Sequence, residues 1–597
     1  MLKYSIFLAL SIISFTSFGQ SIKYNLKMPK PQNHYFNIEM QLDGFKEKVL
    51  EVKMPVWSPG SYLAREFAKN VNLVKAYGDN NTPLEVKKTD KNTWKVIKGK
   101  SKNVTVKYEV YAFELSVRTS FLDLTHGFVS GPSVFMYVAN HKDEAGSLTI
   151  FPYKDFSVIT TPLIPVKESV AGDGSKSYTY NDYDQLVDSP IEIGNQIEFK
   201  FNAAGVEHNV GIYGIGNHDI PTLQKDMAKI VESATNVFGQ NPNKKYTFII
   251  HNVVSAQGGL EHVNSTVLSV NRWTFSQSKY NDFLSLVAHE YFHLWNVKRI
   301  RPIELGPFNY DTENYTSLLW VMEGFTSYYD ELLMLRAGYY TQKQYLAKLF
   351  NTINYVEGST GTRVQPVAHA SFDAWIKAYR PTENSRNTTM SYYSKGTIIA
   401  ALLDAKIISK FNGGKGLDDF MQHIYKVYYV KKGRGFSEDE FKKELESFIG
   451  EDMTQFYDDY INGTEIPDYK SAFATLGLNV EYIGEPKPNV GLILTESGGK
   501  TTVRGIRAGS AAEEAGISVH DEILGCNGLR ADRNGLNAFF KTVKVGETIS
   551  ILYSRDRQLY STDIIVTAYE QPKFAYEIAT DESTQGLFDF WLRSDAK

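Results

Sequence analysis

In Leu286-Val287-Ala288-His289-Glu290-Tyr291-Phe292-His293-Leu294-Trp295-Asn296-Val297, apolar residues recur at helical spacing around two histidines set four residues apart. Residues i and i+4 of a helix share one face about a turn apart. The imidazoles of His289 and His293 can therefore reach a single ion, with Glu290 beside it to handle a water. The pattern predicts a helix from Asp282 to Arg299 and a metal-dependent hydrolytic centre on it. A catalytic zinc needs three protein ligands and an open position. Thirty residues past His293, Glu323 stands in Trp320-Val321-Met322-Glu323-Gly324-Phe325-Thr326-Ser327-Tyr328-Tyr329-Asp330, within a second predicted helix from Ser317 to Gly338. It completes a His-His-Glu set, which suits zinc best among the common metals. Asp330, two turns on and on the same face, is placed to accept a hydrogen bond from a ligand imidazole; a solvated helix charge is the competing reading.

Around this centre the pattern is β-rich on both sides. Between about Ile22 and Phe201 the period is two: Phe36, Ile38, Met40 and Leu42 alternate with polar residues, as do Val104, Val106, Tyr108 and Val110. An all-β domain closed as a sandwich is expected there. Lys245 to Val254 reads as a strand, and the stretches around Gln342 to Tyr355, Ser394 to Phe411 and Glu438 to Phe448 read as helices. From about Leu476 short strands with Gly-rich turns return, with helical segments at Ala511 to Gly516 and Gly535 to Val543. The fold class expected is multidomain α+β. A signal peptide would span 1–19, an N-terminal all-β domain 20–205, a mostly helical metal-binding domain 206–470, a compact module 471–570, and a tail 571–597.

Composition narrows the function classes. With 597 residues, 42% hydrophobic and 22% charged, the chain is globular and multidomain rather than disordered. Its 64 Lys+Arg against 68 Asp+Glu give a net charge of -4, which leaves no basic field for nucleic acid. Cys526 is the only cysteine, so intrachain disulfides and cysteine-based metal sites are excluded. A metal must use His and carboxylates. Lys3, the apolar run Tyr4 to Thr16 and the small residues around Ser17 and Gly19 read as an export signal cleaved before Gln20. The run falls short of the ~20 residues a spanning helix needs, and no later stretch qualifies. No cysteine follows the cleavage point to carry a lipid. A periplasmic or secreted product is expected.

The paired motifs HEYFH and WVMEGFTSYY look like those of the gluzincin metallopeptidases. The run HEYFHLWNVKRIRP resembles the glycyl aminopeptidase family, whose members join a β domain, a thermolysin-like domain and a PDZ domain. The likeness extends to Trp57-Ser58-Pro59-Gly60-Ser61-Tyr62 with Arg65 and to Asp188-Ser189-Pro190-Ile191-Glu192, for which the sequence offers no chemistry. Gly258-Gly259-Leu260-Glu261-His262 is similar to the edge segment of zinc aminopeptidases whose Glu binds the substrate's free α-amine, although the commonest version has Ala-Met before the Glu. Gly258 and Gly259 permit close approach of a peptide backbone, and Glu261 offers a counter-charge to an ammonium. Tyr392-Tyr393-Ser394-Lys395-Gly396 is similar to the Tyr-x-Lys-Gly segment whose Tyr stabilises the tetrahedral intermediate, and the match selects Tyr393 over Tyr392.

Gly509 to Ile517, with Asp521-Glu522-Ile523-Leu524 and Asn527-Gly528, resembles a PDZ domain of the bacterial protease type, with Leu476-Gly477-Leu478 as its expected carboxylate-binding loop. Such a module either captures peptide C-termini or only packs on its neighbour. The resemblance thus implies a zinc aminopeptidase with one Zn²⁺ per chain, held by His289, His293 and Glu323, that acts on peptides with a free N-terminus and prefers small first residues such as Gly or Ala. Glu290 would serve as general base and acid, and Tyr393 as oxyanion donor. Two rivals remain: an endopeptidase fed by the PDZ domain, and an inactive peptide-binding scaffold. His251, His262 and His369 read as structural or surface residues. Lys298, Arg299 and Arg301 read as charges facing a helix C-terminus, with a substrate carboxylate as the alternative partner.

Overall fold

The computed structural model describes residues 20–166, 174–276 and 278–593; the expected signal segment 1–19 lies outside them. No helix among the described residues is long and apolar enough to cross a membrane.

The N-terminal unit contains an eleven-stranded sheet and a five-stranded sheet around one apolar core. Its strands alternate as the sequence predicts: in Tyr35–Asp43 every second side chain, from Phe36 to Leu42, is buried. Ile197–Ala203 and Val206–Tyr213 form a hairpin across the 205/206 boundary and open the sheet of the next unit. In that sheet Val206–Tyr213 pairs in parallel with Lys245–Val253, which pairs in parallel with Ser265–Asn271. Gln257–Glu261 pairs antiparallel with Ser265–Asn271 and forms the sheet edge.

Helices cover this sheet and share one large core. Two of them differ from their predicted extents. The helix expected from Asp282 to Arg299 ends at Phe292. Beyond it Leu294 and Trp295 donate to Tyr291 and Phe292, three residues back, which tightens the last turn. The helix expected from Ser317 to Gly338 is broken into Leu319–Met322 and Gly324–Arg336, with Glu323 at the break. The cause is close packing: a Cβ on Gly324 would lie 2.4 Å from Gly396 Cα, and one on Gly396 would lie 2.3 Å from the Trp320 carbonyl oxygen. Only glycine at both positions lets the segment cross the helix Tyr392–Lys410 this closely.

The C-terminal module has its own core, from Val490 to Val566, around a sheet whose edge strand is Leu492–Ser497. The chain on either side of it belongs to the helical unit. Leu478–Tyr482 pairs with Phe574–Ile578, and Leu476 and Leu478 are buried in the helical core. The segment Leu476-Gly477-Leu478, expected to receive a chain terminus, is therefore closed off, because Gly477 packs on Thr580 and accepts a hydrogen bond from the Ala579 amide. The expected tail likewise holds the helix Gln585–Trp591, whose Trp591 is 1% exposed. Its indole N–H donates to Tyr328 Oη at 2.9 Å, and Tyr328 donates to Asp404 at 2.6 Å. Tyr328 lies on Gly324–Arg336, so the C-terminal helix braces the segment that follows Glu323. Trp591→Ala is expected to destabilise the helical unit by about 3–5 kcal/mol, seen as an earlier thermal transition with the N-terminal β signal retained to higher temperature.

Candidate metal and substrate site

His289 and His293 project from the last turn of Tyr280–Phe292 and its C-cap. Their Nε2 atoms lie 3.1 Å apart. Glu323 Oε2 sits 3.3 Å from His293 Nε2 and 3.6 Å from His289 Nε2. Three donors at zinc–ligand distances of 2.0–2.1 Å in a tetrahedron stand about 3.3 Å from one another. The residues fit the ion. Each imidazole is also oriented from behind: His289 Nδ1 bonds Asp330 Oδ2 at 2.8 Å, and His293 Nδ1 bonds the Asn296 carbonyl at 2.6 Å. A proton on each Nδ1 leaves both Nε2 lone pairs facing the shared point.

Glu323 is only 2% exposed. Burial acts to raise its pKa, but the imidazoles of His293 and His289 outweigh it and hold the carboxyl at about 2, so it is ionised, the state in which a carboxylate could bind a metal. Its place is set by Asn296, which the sequence reading did not single out. The Asn296 side-chain amide donates to the Val321 and Met322 carbonyls at 2.9 and 3.0 Å, tying the end of the histidine-bearing segment to the stretch just before Glu323. The signal was an Asn three residues after the second His, legible only once the break at Glu323 is known.

Glu290 is buried beside these donors, with Oε2 free of any hydrogen bond among the described residues. Burial pushes its carboxyl up to about 7 against the pull of the two imidazoles, a value suited to a group that takes and returns a proton near neutrality. Tyr393 lines the same cavity, of about 290 Å³, and its ring stacks over His289 at a 6.3 Å centroid separation. Burial, with the Glu323 carboxylate nearby, drives its phenol pKa well up, so the O–H remains a donor. Tyr392 is buried outside this cavity.

The edge strand Gln257–Glu261 forms the opposite wall. A Cβ on Gly259 would stand 2.4 Å from the Glu290 carboxyl, which explains glycine there; Gly258 faces open space. Glu261 is 4% exposed, and its Oε1 has no hydrogen-bond partner among the described residues. The N-terminal unit reaches into the site at two points. Gly60, in the Trp57 to Tyr62 motif, lies directly on Glu261: a Cβ there would approach Oε1 to 2.5 Å. Arg118, which no motif announced, lines the cavity and donates to the Gly259 carbonyl at 3.3 Å.

The second unexplained motif fastens the units together. Asp188 accepts from Lys298 Nζ and pairs with His262 Nδ1, both at 2.9 Å, and these partners hold its carboxyl at about 2 despite burial. Glu192 pairs with His126 at 2.6 Å and His251 at 2.9 Å in a fully buried trio. His251 and His262 are thus structural and His369 is exposed. Lys298 and Arg299 are bonded internally, Arg299 to the Leu294 carbonyl and to Asn243.

Residues 23–195 match the family model described as the Peptidase M61 N-terminal domain, and residues 282–399 the one described as M61 glycyl aminopeptidase. Among solved structures, an aminopeptidase N family protein from Idiomarina loihiensis is 28% identical, with a TM-score of 0.87 over 95% of this chain and 100% of its own. An M1 zinc metallopeptidase from Deinococcus radiodurans shares the fold at 13% identity and a TM-score of 0.50, over 75% of this chain and 94% of its own. No curated protein matches. Site and family models together define a zinc metallopeptidase of the aminopeptidase type. The chain carries the N-terminal and peptidase domains of the M61 glycyl aminopeptidase family.

Loss of the imidazole's rear partner should loosen the ion without unfolding the site. Asp330→Asn is expected to weaken zinc binding about 10–100-fold in a chelator competition, with an unchanged circular dichroism spectrum.

Proposed function

We propose that the protein is an exported aminopeptidase that hydrolyses the first peptide bond of peptides, with small residues such as Gly or Ala preferred at the N-terminus. The observation that carries the exopeptidase reading is Glu261: a buried carboxylate, unpartnered at Oε1, on an edge strand that walls the metal cavity. Buried charges are retained where something pairs with them, and a substrate ammonium supplies that pairing. The preference for small residues rests on the family description. Export rests on the reading of residues 1–19.

His289, His293 and Glu323 would hold the zinc. When bound it supplies Lewis acidity to a carbonyl oxygen and acidifies water. Glu261 accepts the α-ammonium, and the edge strand offers backbone groups to the extended peptide, so the first peptide bond is brought to the three donors. Glu290 takes the proton of the attacking water at its carboxylate and delivers it to the departing amine nitrogen. Tyr393 donates its O–H to the oxygen on which negative charge develops. The C-terminal module, whose sequence resembles a PDZ domain, is assigned a peptide-binding role in this reading.

A zinc-loaded reaction containing one Gly-initiated peptide in free and N-acetylated forms, followed by mass spectrometry, tests this. Only the free form should lose its first residue, and only that residue. Internal cuts in both forms would establish an endopeptidase instead. Glu290→Gln should lower kcat/KM by about 10²–10⁴-fold while zinc content stays near one per chain; unchanged turnover would remove the mechanism.

A further inference from the structure

A second cavity, of about 300 Å³, lies where the N-terminal and helical units meet, lined by Trp57, Asp184 and Gln185 from the one and by Lys298, Arg301 and Leu305 from the other. None of the metal donors lines it, and two of its lining residues, Asn181 and Val263, are exposed, so solvent reaches it without passing the metal. Several of its charges are already engaged. Lys298 is paired with Asp188, and Asp182 caps the helix Tyr183–Val187. Arg301 is different: it forms no hydrogen bond and no ion pair among the described residues. Burial lowers its pKa, and among the surrounding charges Asp184 counters this most. Asp184 accepts from the Tyr310 hydroxyl at 2.7 Å through Oδ1, while its Oδ2 accepts nothing among the described residues. Lys142, the cation that Asp184 feels, donates to the Phe308 carbonyl instead.

The sequence offered Arg301 two partners, a helix C-terminus or a carboxylate. The helix ends at Phe292, and the field of a helix terminus fades within its last turn, which leaves the carboxylate. Arg301 is held in place at both ends. Its backbone carbonyl accepts from the Phe436 amide at 3.1 Å, and its guanidinium packs against Gly306, where a Cβ would come within 2.2 Å of Cζ. A planar, fixed guanidinium suits a carboxylate through paired N–H donors. The free oxygen of Asp184 suits an ammonium. Opposite charges thus face one cavity without meeting, and burying them unbridged is costly. Trp57, Leu305 and Phe308 add apolar wall. The volume stands at the lower end of the range for ligand sites, so a single small molecule is what it accommodates.

We propose that this cavity binds a free α-amino acid with a small side chain, its carboxylate on Arg301 and its ammonium on Asp184. Such a molecule carries both charges a few ångströms apart and bridges two poles that do not pair directly. Its side chain completes the contact with the apolar wall. The inference stands on the cavity alone and goes beyond the peptidase reading. Gly60 and Glu261 belong to the wall of this cavity as well as to that of the metal cavity, so the site adjoins the carboxylate assigned to the substrate amine.

The test is calorimetric titration of zinc-loaded Glu290→Gln protein, in which no analogue is turned over, with L-alanine, with L-alaninamide, which lacks the carboxylate, and with propionate, which lacks the ammonium. L-alanine should bind once per chain and at least about tenfold more tightly than either analogue, because each analogue forfeits a charge-assisted hydrogen bond. Arg301→Met should bring alanine and alaninamide within about twofold of each other at unchanged zinc content. Asp184→Asn, which keeps an acceptor for Tyr310, should do the same for alanine and propionate and decides the matter alone if Arg301→Met does not fold. Failure of alanine to bind, or equal binding of either analogue, overturns the proposal. So does an advantage over alaninamide that survives Arg301→Met, since the carboxylate is then held at another site.

Discussion

Three donor atoms, two imidazole nitrogens and one carboxylate oxygen, are held within 3.1–3.6 Å of one another in the interior of the helical unit. Without an ion between them this arrangement crowds lone pairs together, so the surrounding structure must impose it. Asp330 and the Asn296 carbonyl fix the imidazoles; the Asn296 amide and the Gly324–Gly396 contact fix the carboxylate. That glycine contact does more than close a helix crossing. It breaks the predicted helix at Glu323 and seats the start of Tyr392–Lys410, hence Tyr393, beside the donors. The nearby Lys395 is tied into the same packing by a buried ion pair with Glu357.

The other units complete the site rather than decorate it. The N-terminal β unit places Gly60 against Glu261 and Arg118 over the glycine-rich edge strand, and it is fastened by the buried pairs at Asp188 and Glu192. Asp188–Lys298 and Glu192–His251 join buried side chains of the two units, so removing one partner leaves a buried carboxylate uncompensated. The C-terminal module is held by Asn387, and the strand that returns from it to the helical unit is held by Asn354, whose side-chain amide bonds both the carbonyl and the N–H of Phe574 at 3.0 and 2.7 Å. Its orientation toward Tyr393 is thus specified by directional bonds.

Much of this was legible in the sequence because the chemistry is local. His289, Glu290 and His293 follow from helical spacing, and the β alternation around Phe36 and Val104 matches the buried faces. Pairings across long sequence separations were not legible. Nothing in the sequence brings Gly60 or Arg118 to Glu261, and the Trp57 to Tyr62 motif acquires meaning only when two units meet. The break at Glu323 was hidden because Gly324 looks tolerable within a helical period; its role is set by a partner 72 residues away, Gly396. The extent of the helical unit was underestimated for the same reason: the strand Phe574–Ile578 and the segment Leu587 to Leu592 pack into a core whose remaining members precede residue 482.

Anomalous diffraction from crystals of the zinc-loaded protein, at energies on both sides of the zinc edge, tests the central claim most directly. The account predicts one peak per chain, within about 2.0–2.2 Å of His289 Nε2, His293 Nε2 and a Glu323 carboxylate oxygen, with Glu290 and Tyr393 outside direct bonding distance. A peak elsewhere, or one bonded to Glu261 in place of Glu323, would contradict it.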